Sequence, residues 1–215
     1  MGALIPLGDI SRRTRMPIVT LLIILINVFV FFQELVYGNH FVRHWSIIPA
    51  LVVAGHRPIT ILTAMFLHAG WLHILGNMIF FWAFGPAIED AMGRGRFLLF
   101  YLSGGVVAMA AQILADPYSR IPNLGASGAI AAVMGAFLVT YPRDRIRTIL
   151  ILLIFVRITF IPASLLIGFW FLIQLVHVGS VAEVQTGGVA YVAHVGGFLF
   201  GAVTARLWQS PRRFA

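Results

Sequence analysis

Six apolar stretches dominate this chain, and each is close to the length that a helix needs to cross a bilayer. About 17–25 apolar residues span roughly 30 Å of hydrocarbon, where backbone groups are satisfied only in a helix or a closed barrel. The pattern predicts an all-α polytopic membrane protein, a six-transmembrane-helix bundle that forms a single domain over residues 1–215. The long, apolar outer connection 37–67 is expected to pack on the bundle or lie partly in the outer leaflet. The predicted spans are residues 17–36, 69–88, 97–115, 126–141, 162–178 and 188–207.

The composition agrees with a membrane protein and excludes several classes of function. Hydrophobic residues make up 60% of the chain, charged residues 10%, and the mean hydropathy is +0.95. Cysteine is absent, which excludes disulfides, thiol nucleophiles and cysteine-ligated metals. The formal charge of +8 comes from arginines at the ends of the spans, since the chain has no lysine. We therefore predict a lipid bilayer around the chain and no nucleic-acid partner.

Arginines are unevenly divided between the two sides that this topology defines, with eleven on one side and three on the other. Arginine-rich short loops stay in the cytoplasm, so we predict a multi-pass protein of the inner (plasma) membrane with both termini cytoplasmic. Arg157 joins the inside set if residues 146–160 lie at the cytoplasmic interface. The inside set is Arg12, Arg13, Arg15, Arg94, Arg96, Arg143, Arg145, Arg147, Arg206, Arg212 and Arg213, and the outside set is Arg43, Arg57 and Arg120.

Four polar side chains interrupt three of the spans at a similar depth. His73, Asn77, Ser127 and His194 fall near the outer ends of spans two, four and six, within roughly 10 Å of the interface at about 1.5 Å per residue. A polar group inside a span is costly and is a functional candidate by default. A serine, a histidine and donors for a developing negative charge together suit a serine hydrolase. The shared depth therefore predicts a site near the outer face.

Small residues on the same helices would let the serine and the histidine approach each other. A Ser–His hydrogen bond needs about 2.6–3.2 Å between its atoms, and glycines allow membrane helices to pack closely. Taken alone, each feature has a simpler interpretation, since a histidine, an asparagine or a Gly-x-Ser-Gly turn can serve helix packing only. Their convergence at one depth favours a site. The glycines predicted to serve helix packing are Gly125, Gly128, Gly197 and Gly201.

Four motifs share their order and spacing with one known family. They are His68-x4-His73-x3-Asn77, Gly125-Ala126-Ser127-Gly128, Ala193-His194-x-Gly196-Gly197-x3-Gly201 and Gly85-x3-Glu89-x3-Gly93. Together they resemble the rhomboid intramembrane serine proteases, of the prokaryotic six-span core type, over essentially the whole six-span core. The resemblance implies a rhomboid-like bundle and an endopeptidase that cuts in or near transmembrane segments of membrane-protein substrates, commonly near a small residue close to the outer face.

The resemblance also implies a role for each polar residue. Ser127 would be the nucleophile that attacks the scissile carbonyl. His194 would be the general base and later the acid that protonates the leaving amine. The side chains of His73 and Asn77, with the backbone N–H of Ser127, would stabilise the oxyanion.

The sequence contains no obvious acidic third member for this site. We therefore predict a Ser–His dyad in which a backbone or neutral group fixes the histidine tautomer, and a contact from Asp116 or Glu183 to His194 would contradict it.

The chain also departs from the family pattern at two places. Ala131 stands where many members have an aromatic residue four positions after the serine, so another element must orient His194. Ile59-Thr60 stands where some members have a Trp-Arg pair.

Other interpretations are open at this stage. A non-catalytic rhomboid-like factor for membrane-protein binding or quality control would have the same fold, although such family members lack the serine or the histidine. A transporter or channel would spread its polar groups across the membrane.

We expect no cofactor and no metal site, since the chain has no His-Glu-x-x-His motif. His68 has either a structural hydrogen bond or a role in ordering water at the site. The histidines expected at the surface or interface are His40, His44, His56 and His177.

Overall fold

Six long helices follow the six predicted apolar stretches. The structure, a computed structural model, describes residues 2–9, 15–152, 155–181 and 190–209. Within these ranges the helices are α1 Ile18–Trp45, α2 Pro49–Val53, α3 Thr60–Thr63, α4 Trp71–Met92, α5 Arg94–Ala115, α6 Ser127–Thr140, α7 Ala163–Val181 and α8 Tyr191–Trp208. The strands are β1 Gly2–Asp9, β2 Arg145–Leu152 and β3 Phe155–Pro162. The predicted helical membrane bundle is confirmed. Five residues named above lie outside the described residues, namely Arg12, Arg13, Glu183, Arg212 and Arg213.

Helix α6 lies at the centre of the bundle. Every residue from position 128 to position 137 is buried, and α4, α5 and α8 pack around it. Phe137 meets Phe84 of α4 edge-on, with ring centroids 5.2 Å apart. Since neighbouring helices shield α6 on all sides, its 14 residues, about 21 Å of helix, do not have to match the bilayer thickness.

Three of the helices are long and apolar enough to cross a membrane by length and composition, namely α1, α4 and α5. Two shorter apolar helices accompany them, α6 and the stretch Ala163–Val178 of α7. Helix α1 continues past the predicted end at Val36, because a kink at Gly38, with φ of 66°, joins a second helical stretch to the first. The left-handed backbone there suits glycine, which has no Cβ to clash.

The connection 37–67, predicted to lie on the outer side, packs on the bundle, in agreement with its apolar sequence. Ile47, Ala64 and Met65 are fully buried, and Ile47 forms an isolated antiparallel bridge with Asn123 in the connection before α6. A 3-10 turn at Ala64–Phe66 leads the chain into α4. This connection therefore closes the end of the bundle at which α4 and α6 begin.

A three-stranded antiparallel sheet, in the order β1-β2-β3, is an addition that the sequence analysis omitted. Strand β2 pairs with β1, Ile5 opposite Ile149, and with β3, Arg147 opposite Phe160. The segment 146–160, predicted to lie at the cytoplasmic interface, forms most of this sheet. Its pairing with β1 brings together segments about 140 residues apart, a long-range contact that no local pattern indicates.

Glu89 of α4 anchors the start of α1. Its carboxylate accepts the backbone N–H groups of Val19 at 2.9 Å and Thr20 at 2.8 Å, and the Thr20 hydroxyl at 2.7 Å. The first N–H groups of a helix have no partner within the helix, and α1 has no acidic residue in its first turn and no side-chain cap at Pro17. The buried Glu89 therefore supplies this cap from a neighbouring helix.

Replacing Glu89 by glutamine is expected to lower the free energy of unfolding by about 2 kcal/mol, since a buried donor left without its acceptor costs about that much. The carboxylate now accepts hydrogen bonds from all of these donors. In either orientation, the new amide would place its NH2 group against at least one of them, and that donor would lose its acceptor. Reversible unfolding in mixed micelles measures the loss. Asp116→Asn, at an exposed position at the end of α5, is the matched control, and equal stability of the two variants would contradict the anchoring role.

Candidate active site

A cavity of about 380 Å³ opens where α4, α6 and α8 begin, with α7 along one side. Its lining includes all four predicted polar residues, which are His73, Asn77, Ser127 and His194. Three elements that are distant in sequence therefore bring their polar groups to one place. At the opposite end of the bundle, Arg96 at the start of α5 donates to the backbone carbonyl of Gln209 after α8. The cavity therefore lies at the end away from this contact.

Ser127 and His194 are in direct contact. Ser127 is the first residue of α6 and His194 lies in the first turn of α8. The histidine Nε2 and the serine Oγ are 2.6 Å apart, and His194 is only 8% exposed. The sequence predicted that these two side chains could meet, and the tertiary structure places them at hydrogen-bond distance.

The close approach of α6 and α8 depends on glycines. A Cβ at Gly201 would overlap the carbonyl oxygen of Ala132, and one at Gly197 would overlap that of Gly128. On α6, a Cβ at Gly135 would overlap the carbonyl oxygen of Phe198. Each backbone therefore fills the space that a side chain on the other helix would need, and this contact holds Ser127 beside His194.

Gly201→Ala is expected to lower the free energy of unfolding by about 1–3 kcal/mol, the usual cost of forcing extra atoms into a packed interior. A carbonyl oxygen of a packed helix cannot move aside as a flexible side chain can. Gly168→Ala on α7 is the matched control, because nothing apart from its chain neighbours and the nearby backbone of its own helix lies within 4 Å of an added Cβ. Thermal unfolding in detergent measures both, and a Gly201 variant as stable as the Gly168 variant would show that the interface has room.

His73 presents a hydrogen-bond donor beside the serine. Its Nδ1 accepts the backbone N–H of Ala69 at 3.3 Å, so in the neutral ring the proton is on Nε2. An added Cβ at Gly125 would lie 3.0 Å from His73 Nε2 and 3.6 Å from Ser127 Oγ. Nε2 of His73 and the serine hydroxyl therefore border the same space beside Gly125. Gly125, predicted as a helix-packing residue, lies in the turn before α6 with φ of 127° and leaves room for the His73 ring. Gly128, predicted for the same role, packs against Ala108 of α5.

Asn77 presents a second donor one turn further along α4. Its side chain lines the cavity and is 9% exposed. The Nδ2 group has no hydrogen-bond partner among the described residues. A buried amide donor without a partner is costly, and one that lines a cavity beside a serine hydroxyl is available to a ligand oxygen.

Gln174 of α7 is a site residue that the sequence analysis missed. Its Oε1 lies 2.7 Å from His194 Nδ1, and it is 7% exposed. Two rings flank the same histidine, Trp170 with centroids 5.9 Å apart and Tyr191 at 6.2 Å. Ala131 has only a methyl group and cannot provide an aromatic ring beside His194. The rings come instead from α7 and α8. A glutamine in the middle of the predicted fifth span was the available signal, because polar residues are rare inside spans.

The other residues considered from the sequence take no part in the Ser127–His194–Gln174 contacts. Asp116 follows α5 and does not line the cavity. His177, predicted at the surface or interface, is half-buried and lines the cavity, with its ring centroid 4.8 Å from that of Tyr191. The remaining three histidines, His40, His44 and His56, are exposed. No group of three histidine or acidic side chains suitable for a metal occurs in the part of the chain that the structure describes.

His68 lies beneath His73 in the connection before α4. Its backbone N–H donates to the Glu34 carboxylate at 2.9 Å and 3.2 Å, and its ring meets that of His73 edge-on at 5.2 Å. Burial, with a smaller contribution from His73, lowers the pKa of His68 to about 3. The imidazole is therefore neutral at physiological pH. The main-chain contact with Glu34 fixes this connection, and the His68 ring supports that of His73.

Fold and site together define a polytopic helical membrane protein with a serine–histidine pair inside one end of its bundle. A family model described as Rhomboid domain matches residues 55–210, which is most of the chain. The chain therefore belongs to the rhomboid family.

Several curated proteins are similar to this chain. It is 32% identical over 158 residues to Rhomboid protease GluP of Bacillus subtilis (strain 168), a match that covers 71% of this chain and 26% of the relative. It is 26% identical over 151 residues to Rhomboid protein 1, mitochondrial, of Saccharomyces cerevisiae (strain ATCC 204508 / S288c), covering 67% and 40%. A third relative is Presenilin-associated rhomboid-like protein, mitochondrial, of Bos taurus, 30% identical over 151 residues and covering 65% and 35%. The chain thus spans 26% to 40% of the length of these relatives.

Proposed function

We propose that this chain is an intramembrane serine endopeptidase that hydrolyses peptide bonds in or near transmembrane segments of membrane-protein substrates. The observation that carries the proposal is the distance of 2.6 Å between His194 Nε2 and Ser127 Oγ. A serine hydroxyl is a weak nucleophile until a base accepts its proton, and this histidine nitrogen is placed to accept it. Membership of the rhomboid family and the similarity to a protease of Bacillus subtilis add support.

In the proposed reaction, Ser127 Oγ attacks the scissile carbonyl carbon while its proton moves to His194 Nε2. The carbonyl oxygen becomes an oxyanion, and the tetrahedral intermediate collapses when His194 returns the proton to the leaving amine. Water then attacks the acyl-serine ester by the same route, with His194 as the base. Every proton in this sequence passes through one nitrogen of the histidine.

Three donors belong to residues that line the cavity where the oxyanion would form. His73 offers Nε2–H and Asn77 offers Nδ2–H, and both line the cavity beside Ser127. Ser127 opens α6, so its own backbone N–H has no partner within the helix, and the positive end of the helix dipole favours negative charge there. Donors already held in place stabilise the oxyanion without reorganisation during the reaction.

The membrane topology is part of the proposal. The cavity lies at the end of the bundle opposite to Arg96 and Gln209, and the arginine bias predicts that this opposite, arginine-rich end faces the cytoplasm. The active site would then lie near the outer face of the inner membrane, with both termini cytoplasmic and the whole chain one transmembrane domain. The cavity would admit water from outside, and a substrate helix would have to unwind there because helical carbonyls are already hydrogen-bonded.

Reconstitution in liposomes with a single-span substrate tests the proposal. We expect mass spectrometry to find one cut near the outer end of the substrate helix. A fluorophosphonate probe is expected to form an adduct on the peptide that contains Ser127, while Ser103, a serine in the middle of α5, stays unmodified. A folded protein that neither cuts nor labels would contradict the proposal and favour a non-catalytic membrane-protein-binding factor.

A further inference from the structure

The amide of Gln174 is held in one orientation by two different partners. Its Nε2 lies 3.3 Å from the backbone carbonyl of Trp170, one turn earlier on α7. A carbonyl oxygen can only accept a hydrogen bond, so the amide nitrogen must face it. The amide oxygen therefore faces His194 Nδ1, at 2.7 Å.

This orientation determines where the proton of His194 is. An amide oxygen can only accept, so Nδ1 must carry the hydrogen, and the neutral ring then has its lone pair on Nε2. Nε2 is the nitrogen that lies 2.6 Å from Ser127 Oγ. The opposite tautomer would place an N–H group against the serine and leave no base to take its proton.

We propose that Gln174 is a positioning residue that holds His194 in the catalytic tautomer and orients its ring toward Ser127. This inference rests on the proposed function, because it assigns to Gln174 the neutral group that a Ser–His dyad needs. Trp170 takes part by fixing the amide through its carbonyl and by placing its ring 5.9 Å from that of the histidine. Helix α7 thus provides both the hydrogen-bond acceptor and a flanking ring.

The same contact serves the charged form of the histidine. When Nε2 takes the serine proton, both ring nitrogens become donors, and Gln174 Oε1 is already in place for Nδ1–H. Among the described residues that line the cavity, those that can titrate near His194 are His73 on α4, His177 on α7 and Tyr191 on α8. No carboxylate is among the lining residues that the structure describes, and the neutral amide there supplies this acceptor without a negative charge.

Gln174→Leu tests the assignment, since leucine has a similar volume and no acceptor. We expect the rate of labelling of Ser127 by a fluorophosphonate to fall about 10- to 10²-fold. This is a smaller loss than the roughly 10⁴-fold that follows when a charged acceptor behind a catalytic histidine is replaced and the correct tautomer is lost. The pH of half-maximal labelling should move downward, because the imidazolium loses an acceptor. Gln112→Leu, the same change on α5 and away from the cavity, should label like the parent.

Gln174→Glu is the second variant, and it retains an acceptor oxygen behind His194. We expect labelling to recover toward the parental rate at high pH, with half-maximal labelling at a higher pH than in the parent, since a carboxylate favours the imidazolium. This shift separates positioning from a purely structural contribution of Gln174, which would leave the pH dependence unchanged.

The outcomes distinguish the two proposals. If the folded parent protein neither cuts the substrate nor labels, the proposed function fails. If the parent labels and Gln174→Leu labels at the same rate with the same pH dependence, Gln174 does not position His194. If Gln174→Leu loses labelling only in proportion to its loss of folded protein in thermal unfolding, and Gln174→Glu keeps the parental pH dependence, the inference is likewise overturned.

Discussion

Ser127→Ala is expected to lower kcat toward a single-span substrate by about 10⁴-fold or more, because it removes the only nucleophile of the proposed reaction. His194→Ala should cause a loss of similar size, since the serine hydroxyl then has no base at 2.6 Å. Residues that act as one unit are not additive. The double variant should therefore be no slower than either single one.

Substrate cleavage in liposomes, followed by mass spectrometry, measures these rates. Ser103→Ala on α5 is the matched control and should cleave at the parental rate. Thermal unfolding should show that Ser127→Ala stays folded, because the substitution removes one hydroxyl at the edge of a cavity. Cleavage that persists in Ser127→Ala at the same bond would assign the nucleophile to another residue.

Asn77→Leu is expected to lower kcat by about 10²- to 10³-fold, the usual effect of removing one oxyanion donor. Leucine has nearly the shape of asparagine, and Nδ2 has no partner to lose among the described residues. The loss should therefore appear in the reaction and not in stability. KM should change little, since the contact forms with the oxyanion and not with the bound substrate.

Steady-state cleavage rates over a range of substrate concentrations separate the two parameters. Asn39→Leu, at an exposed position of α1, provides the control for the same substitution elsewhere. A rise in KM with kcat unchanged would instead make Asn77 a substrate-binding residue.

The helical bundle was predictable because its pattern is local. Each long helix coincides with an apolar stretch, and the polar interruptions at His73, Ser127 and His194 mark one end of three of them. Hydrocarbon permits few backbone conformations, so apolar length alone indicates a helix. The glycines of α8 were visible in the sequence for the same reason, as small residues at helical spacing.

The sheet and the partner of His194 were not predictable in this way. Strand β1 meets β2 across about 140 residues of chain, and β2 had been interpreted only as part of an interfacial segment. Gln174 is 20 residues from His194, and no spacing rule links a residue of one helix to a residue of the next. The sequence predicts a neutral group or a backbone atom behind the histidine but does not identify it.

The sequence by itself determined the class of fold, the membrane environment and the residue types of the site, because hydrophobic length and polar interruptions act through local chemistry. The tertiary structure alone decided that α6 and α8 approach until Ser127 and His194 are 2.6 Å apart, and that α7 brings Gln174 to the other side of the histidine. Those distances depend on how three helices pack, and packing is set by the fit of all their side chains together.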